Sequence, residues 1–189
     1  MTRLRIHFVC TANICRSAYA GLRARTILSP HDFTTSSSGL QARAGVPIDA
    51  EIAAELRRRG IDPTGQTARR TETTDIHDAD LVLTMASWHR GVILENWPEA
   101  VVRVFTLPQF VASARPQAPG PTSTTGSGPA SIITAAYQHR VPAGSVGDVA
   151  DPYSKGPEAA AACAATLDRL LIELDDLLAP ISPPRRAAD

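Results

Sequence analysis

The chain has 189 residues, 43% hydrophobic and 20% charged, enough for one α/β domain with a buried core. Its 19 Lys and Arg balance its 19 Asp and Glu, so net charge argues for neither nucleic acid nor an anionic membrane as partner. No apolar run reaches the length of about 18–20 residues that a membrane span needs, so no membrane insertion is expected.

The N-terminus shows no signal-peptide pattern, and a cytoplasmic protein is expected. The three cysteines, Cys10, Cys15 and Cys163, are odd in number and read as thiols rather than as a disulfide framework. Nothing in the sequence specifies an oligomeric state.

Leu4 to Val9 predicts a short strand ending at Cys10. Ser17 to Leu28 follows with helical spacing and stops at Ser29-Pro30. Phe33 to Ser38 reads as a second strand closed by Gly39. Asp49 is a good N-cap for a helix with Ile52, Ala53 and Leu56 on one face, ended by Gly60. The Arg57-Arg58-Arg59 run is placed on the wet side of that helix.

Asp80 to Met85 predicts a buried strand, and Ser87 caps a helix running to about Asn96, before Pro98. Val101 to Phe105 reads as the fourth strand. Ser113 to Gly128, dense in Pro, Gly, Ser and Thr, reads as loop or disorder, with one short helix possible over Ala130 to Arg140. Glu158 to Leu178 is a long helix with an apolar stripe of Leu167, Leu170, Leu171, Leu174, Leu177 and Leu178.

Strands alternating with helices predict an α/β fold: a four-stranded parallel sheet flanked by helices on both faces, with a phosphate-binding loop after strand 1. One domain is expected over 1–180, with a flexible insertion at about 107–147 and a disordered tail at 181–189. The insertion could be a lid, a partner surface or a passive loop. Ligands in such sheets bind beyond the carboxyl ends of the strands, which is where Cys10 falls.

The candidate site is Cys10-Thr11-Ala12-Asn13-Ile14-Cys15-Arg16-Ser17, between a strand and a helix. Peptide N–H groups of a tight loop and the following helix N-terminus converge on an oxyanion. Arg16 offers a planar two-pronged donor. The same field favours a thiolate over a thiol, and Ser17 can donate a hydrogen bond to it. Asn13 tolerates a left-handed backbone and can brace the loop. A bare Cys-x5-Arg pattern also fits a buried cysteine and an unrelated surface arginine.

The second motif is Asp151-Pro152-Tyr153. Transfer of a phosphoryl group to sulfur leaves an alkoxide or phenoxide that needs a proton, and an aspartic acid on a mobile loop can supply it. Tyr153 could wall an aromatic slot. Taken alone, Asp-Pro is a common turn.

Together the two motifs resemble the low-molecular-weight protein tyrosine phosphatases. That family carries a V-C-x-G-N-x-C-R-S-P loop near the N-terminus and a D-P-Y loop near the C-terminus. Ser38-Gly39, Gly45 to Asp49, Ala68-Arg69 and Ala79 to Met85 are also similar, so the likeness covers roughly residues 3–110 and 148–179. It implies catalysis by Cys10, Arg16 and Asp151 through a phosphocysteine. Thr11, Ala12, Asn13, Ile14, Cys15, Ser17 and Tyr153 would then bind phosphate and substrate. It implies no metal and no cofactor, and a phosphotyrosine-bearing protein as partner.

The chain departs from the pattern at Ala12 (usually glycine), Ala18 (usually proline) and Gln66 (commonly histidine). The substrate-framing segment Gln41-Ala42-Arg43 lacks an aromatic residue. If position 12 needed a positive φ, alanine would cost on the order of 1 kcal/mol. Alternatives on the same fold are an arsenate reductase and a phosphoarginine phosphatase. The first needs extra redox cysteines; for that Cys15 is better placed than Cys163, and a Cys10–Cys15 disulfide would protect the nucleophile. Family members of the second kind carry threonine in place of Ile14. A non-catalytic phosphoprotein-binding module is the third alternative.

Overall fold

The computed structural model describes residues 3–28, 32–115 and 128–178. Four strands, β1 (Leu4–Cys10), β2 (Phe33–Gly39), β3 (Leu81–Thr84) and β4 (Val104–Thr106), form one sheet in the order β2-β1-β3-β4. All three pairings are parallel. The helices are α1 (Arg16–Ile27), α2 (Ala50–Arg58), α3 (Thr73–Asp78), α4 (Ser87–Asn96), α5 (Leu107–Ala114), α6 (Pro129–Gln138) and α7 (Gly156–Leu178).

The strands bury both faces, and their side chains alternate between two cores. Ile6, Phe8, Leu81, Leu83 and Phe105 face a large core shared with α1, α2, α5, α6 and α7. Val9, Val82 and Val104 face a smaller core with Ile76 of α3 and Ile93 of α4. The leucine stripe expected on α7 is buried throughout. Each fully buried leucine contributes about 1.5–3 kcal/mol of burial free energy, which makes α7 a main support of its face.

Strand order places the site. From β1 the chain turns to β2 on one flank, then crosses to β3 on the other. Cys10 pairs with Gly39, and Val9 pairs with both Ser38 and Thr84. The crevice at this reversal opens directly above Cys10.

Four local expectations are revised. The fourth strand begins only at Val104, because Pro98–Val102 forms a 3-10 turn closed by Arg103 N–H donating to the Ala100 carbonyl at 3.0 Å. Ser87 is the first residue of α4, not its cap; its N–H and hydroxyl both donate to Asp148 Oδ1, at 2.8 and 2.6 Å. Within the expected insertion, α5 packs Leu107, Phe110, Val111 and Ala114 into the large core. Its start is fixed by a capping box between Thr106 and Gln109.

The expected short helix is α6, which buries Ile132, Ile133 and Ala136. The centre of the insertion, 116–127, and the tail 181–189 lie outside the described residues. Finally, Arg59 is not simply solvated: it pairs with Asp168 of α7 and with Glu55 of α2. Asp168 also accepts from Tyr19 Oη at 2.8 Å and Arg23 Nε at 2.9 Å, so it ties α1, α2 and α7 together.

Candidate active site

The loop between β1 and α1 is held from behind. Asn13 has φ 56°, as its residue type allows. Its buried amide donates to Ser17 Oγ at 2.9 Å and Ser37 Oγ at 3.0 Å, while its Oδ1 accepts from Arg69 N–H at 3.2 Å. Ala12 is not among the positive-φ residues, so the alanine penalty considered above does not arise. The Cys10, Thr11 and Ile14 carbonyls accept from the N–H groups of Leu40, Gln41 and Asp49.

Gly39, read from the sequence as the close of the second strand and a point of likeness, is also a steric requirement of this loop. A Cβ there would lie 2.7 Å from the Thr11 carbonyl oxygen and 2.8 Å from Ala12 C and Asn13 N. Gly39→Ala is therefore expected to displace the loop and destabilise the fold by about 1–3 kcal/mol. Chemical denaturation and aryl-phosphate turnover should both fall; wild-type values in both would show that the loop yields freely.

Cys10 is 2% exposed, with its sulfur 3.0 Å from Ser17 Oγ and 3.3 Å from the Asn13 N–H. Ser17 has one proton and two acceptors for it, the Cys10 sulfur and the Ser38 carbonyl at 3.1 Å. It can therefore serve a thiol in one state and a thiolate in another by rotating its hydroxyl. No side chain caps α1, and no acidic residue stands in its first turn, so its N-terminus faces the loop free for an anion.

Arg16 closes the other side. Its Nη2 donates to Asp151 Oδ2 at 2.8 Å and to Thr11 Oγ1 at 3.3 Å; Nη1 donates to the Val149 carbonyl at 3.3 Å. Its Nε is buried without a hydrogen-bond partner among the described residues. A buried, unpaired guanidinium N–H beside Cys10 is a donor suited to one oxygen of a bound oxyanion, with Nη2 suited to a second.

The segment carrying Asp151 is anchored just upstream: Asp148 holds the start of α4, and Val149 N–H donates to the Met85 carbonyl at 2.9 Å. Asp151 itself is about half exposed, and its Oδ1 accepts from Tyr153 N–H at 3.3 Å. The Tyr153 ring stands at the surface. The Gln66 side chain donates to the neighbouring Thr67 carbonyl at 3.2 Å.

Cys10, Arg16 and Asp151 share one cavity of about 360 Å³. Thr11, Ala12, Ile14, Cys15 and Tyr153 line it too, whereas Asn13 and Ser17 stand behind the loop. Gln41, Arg43 and Val46 complete the rim. Burial pushes the Cys15 thiol well above its ordinary pKa and that of Cys163 up to about 12.

Sequence reasoning missed His89, fully buried on α4, whose Nε2 lies 3.0 Å from Thr11 Oγ1. A single histidine in a helix gives no local signal of that contact. Burial, then the nearby Arg16 charge, lowers its pKa to about 4. His7, wedged between Ser36 and Ser38 hydroxyls at 2.7 Å each, is likewise lowered to about 4, chiefly by burial and against the pull of Asp75.

Both rings are neutral when folded but take up protons near pH 6.5 when unfolded. The unfolded chain therefore binds more protons between pH 6.5 and about 4, and stability should fall as pH drops through that window. Urea midpoints at pH 7.5 and 4.5 measure it; equal midpoints would contradict the neutral buried state.

The sheet order, the crossovers and the cysteine–arginine loop at the strand reversal define a doubly wound α/β protein whose Cys10, after β1, fits a phosphate-binding loop. Residues 5–126 match the family model described as low molecular weight phosphotyrosine protein phosphatase. The chain belongs to that family, and so is an enzyme of a phosphatase family.

A protein-arginine-phosphatase of Geobacillus stearothermophilus is 34% identical over 57% of this chain and 72% of its own. The low molecular weight protein-tyrosine-phosphatase PtpB of Staphylococcus epidermidis is 35% identical over 59% of this chain and 77% of its own. The solved YwlE arginine phosphatase from G. stearothermophilus superposes with a TM-score of 0.71 at 28% identity, covering 92% of this chain and 91% of that one.

Proposed function

We propose that the protein hydrolyses phosphotyrosine on protein substrates through a phosphocysteine on Cys10. The observation that carries this is the convergence of Cys10, Arg16 and Asp151 in one cavity, beside a free helix N-terminus. The Cys10 sulfur attacks phosphorus, and the bond from phosphorus to the tyrosine oxygen breaks. Arg16 and the loop hold the equatorial oxygens. Asp151 gives its proton to the departing phenoxide. Water then attacks the phosphocysteine, Asp151 takes a proton from it, and the sulfur leaves as thiolate.

Arg16 pairs with Asp151 at 2.8 Å. An incoming phosphate competes for that guanidinium and frees the carboxyl to face the leaving oxygen.

The cavity wall supports an aryl substrate over phosphoarginine. Ile14 and Val46 are aliphatic and offer no acceptor to a guanidinium, and Arg43 on the rim repels a cation. The arsenate-reductase reading has less support, because burial keeps Cys15 and Cys163 as protonated thiols, which are poor nucleophiles.

The test is turnover of para-nitrophenyl phosphate, a phosphotyrosine peptide and phosphoarginine in EDTA, by wild type and by Cys10→Ser. Preferred turnover of phosphoarginine would overturn the substrate assignment. Asp151→Asn should slow phosphotyrosine hydrolysis by about 10²- to 10⁴-fold and para-nitrophenyl phosphate much less, since nitrophenolate leaves without a proton. Equal losses for both would remove Asp151 as general acid.

A further inference from the structure

We infer that His89 is a positioning residue for Arg16, acting through the Thr11 hydroxyl; the inference rests on the phosphatase reading for its catalytic consequence but not for its effect on phosphate binding. The three groups form one chain. His89 Nε2 lies 3.0 Å from Thr11 Oγ1, and that oxygen accepts from Arg16 Nη2 at 3.3 Å.

His89 is 0% exposed, yet its Nδ1 is buried with no hydrogen-bond partner among the described residues. An apolar residue would fill the site without that cost, so packing does not account for the ring. The Trp88 ring lies against it, with centroids 4.0 Å apart and planes tilted by 40°.

The contact matters because of what Arg16 loses when phosphate enters. Of its three partners, Asp151 must be released to reach the leaving group, while Thr11 and the Val149 carbonyl remain. The Thr11 hydroxyl has one proton and two lone pairs. One lone pair serves Arg16. The ring either donates to the second or accepts the proton; in both cases it fixes the rotamer that presents the oxygen to Nη2.

The ring must be neutral, since a cation there would oppose Arg16. The charged groups facing it are Arg16, Asp148 and Asp151, with burial outweighing the two carboxylates.

Aryl-phosphate kinetics and inhibition by inorganic phosphate test the coupling. His89→Leu and Thr11→Val should each lower kcat/KM and weaken phosphate inhibition about tenfold. The double variant should be no worse than the worse single one, because both break the same chain. His89→Gln, which keeps a donor, and Thr11→Ser, which keeps the hydroxyl, should recover part of the loss. Additive losses, or wild-type phosphate inhibition in His89→Leu, overturn the inference.

If His89→Leu does not fold, imidazole ¹⁵N spectra of the wild-type protein replace it. Phosphate should shift the His89 ring resonance, and no shift overturns the proposal. A wild type that binds phosphate but turns over no aryl ester would count against the phosphatase reading alone.

Discussion

Cys10→Ser is expected to lower kcat for every aryl phosphate by about 10⁴- to 10⁶-fold while inorganic phosphate still binds. The groups touching the Cys10 sulfur are the Ser17 hydroxyl and the Asn13 N–H, and neither is a base. A thiolate needs only such donors, because sulfur gives up its proton readily. A serine hydroxyl would need a general base beside it, as in a Ser-His pair, and the two buried histidines are engaged elsewhere, His89 with Thr11 and His7 with Ser36 and Ser38.

The anion site would survive, because its donors are Arg16, the loop and the N-terminus of α1. The exchange alters one buried atom and should shift stability by less than about 1.5 kcal/mol. Steady-state kinetics with phosphate as inhibitor separates the two effects. A serine variant within an order of magnitude of wild-type kcat would exclude Cys10 as the nucleophile.

What was legible in the sequence was what is local. The run from Leu4 to Arg16 carries strand, loop and helix start in consecutive residues, and Asn13 announces its own left-handed backbone. Asp49 caps α2 by accepting from Glu51 N–H and Ile52 N–H, as its position suggests. The α7 stripe follows from spacing alone.

What was missed depends on register and long-range contact. Gly39 matters because parallel pairing sets it beside Cys10, under the Thr11–Asn13 backbone. Asp148 caps a helix that begins 61 residues earlier. Arg59 finds Asp168 on α7 across the core. Helix α5 did have a local signal, Thr106 and Gln109 as a capping box before an apolar run. It was hidden by the Pro- and Ser-rich composition that follows.

The second large effect is expected at Arg16. Arg16→Lys retains the charge, so Coulomb attraction alone predicts a mild loss. The geometry predicts a severe one, on the order of 10²- to 10³-fold in kcat/KM, with weaker phosphate binding as well. The side chain is 6% exposed, and its planar head meets Thr11, Val149 and Asp151 at once while its Nε remains for a ligand. A lysine ammonium has three donors on one atom and cannot span those directions. It would settle on Asp151 as a point charge, leaving the equatorial oxygens with backbone donors only. The loss should appear in both kcat and KM, since the fork holds phosphate in the ground state and holds it better as charge spreads over the transferring group. Retention of kcat with only KM raised would make Arg16 a binding residue, and the work of stabilising the transition state would then rest on the loop and the N-terminus of α1.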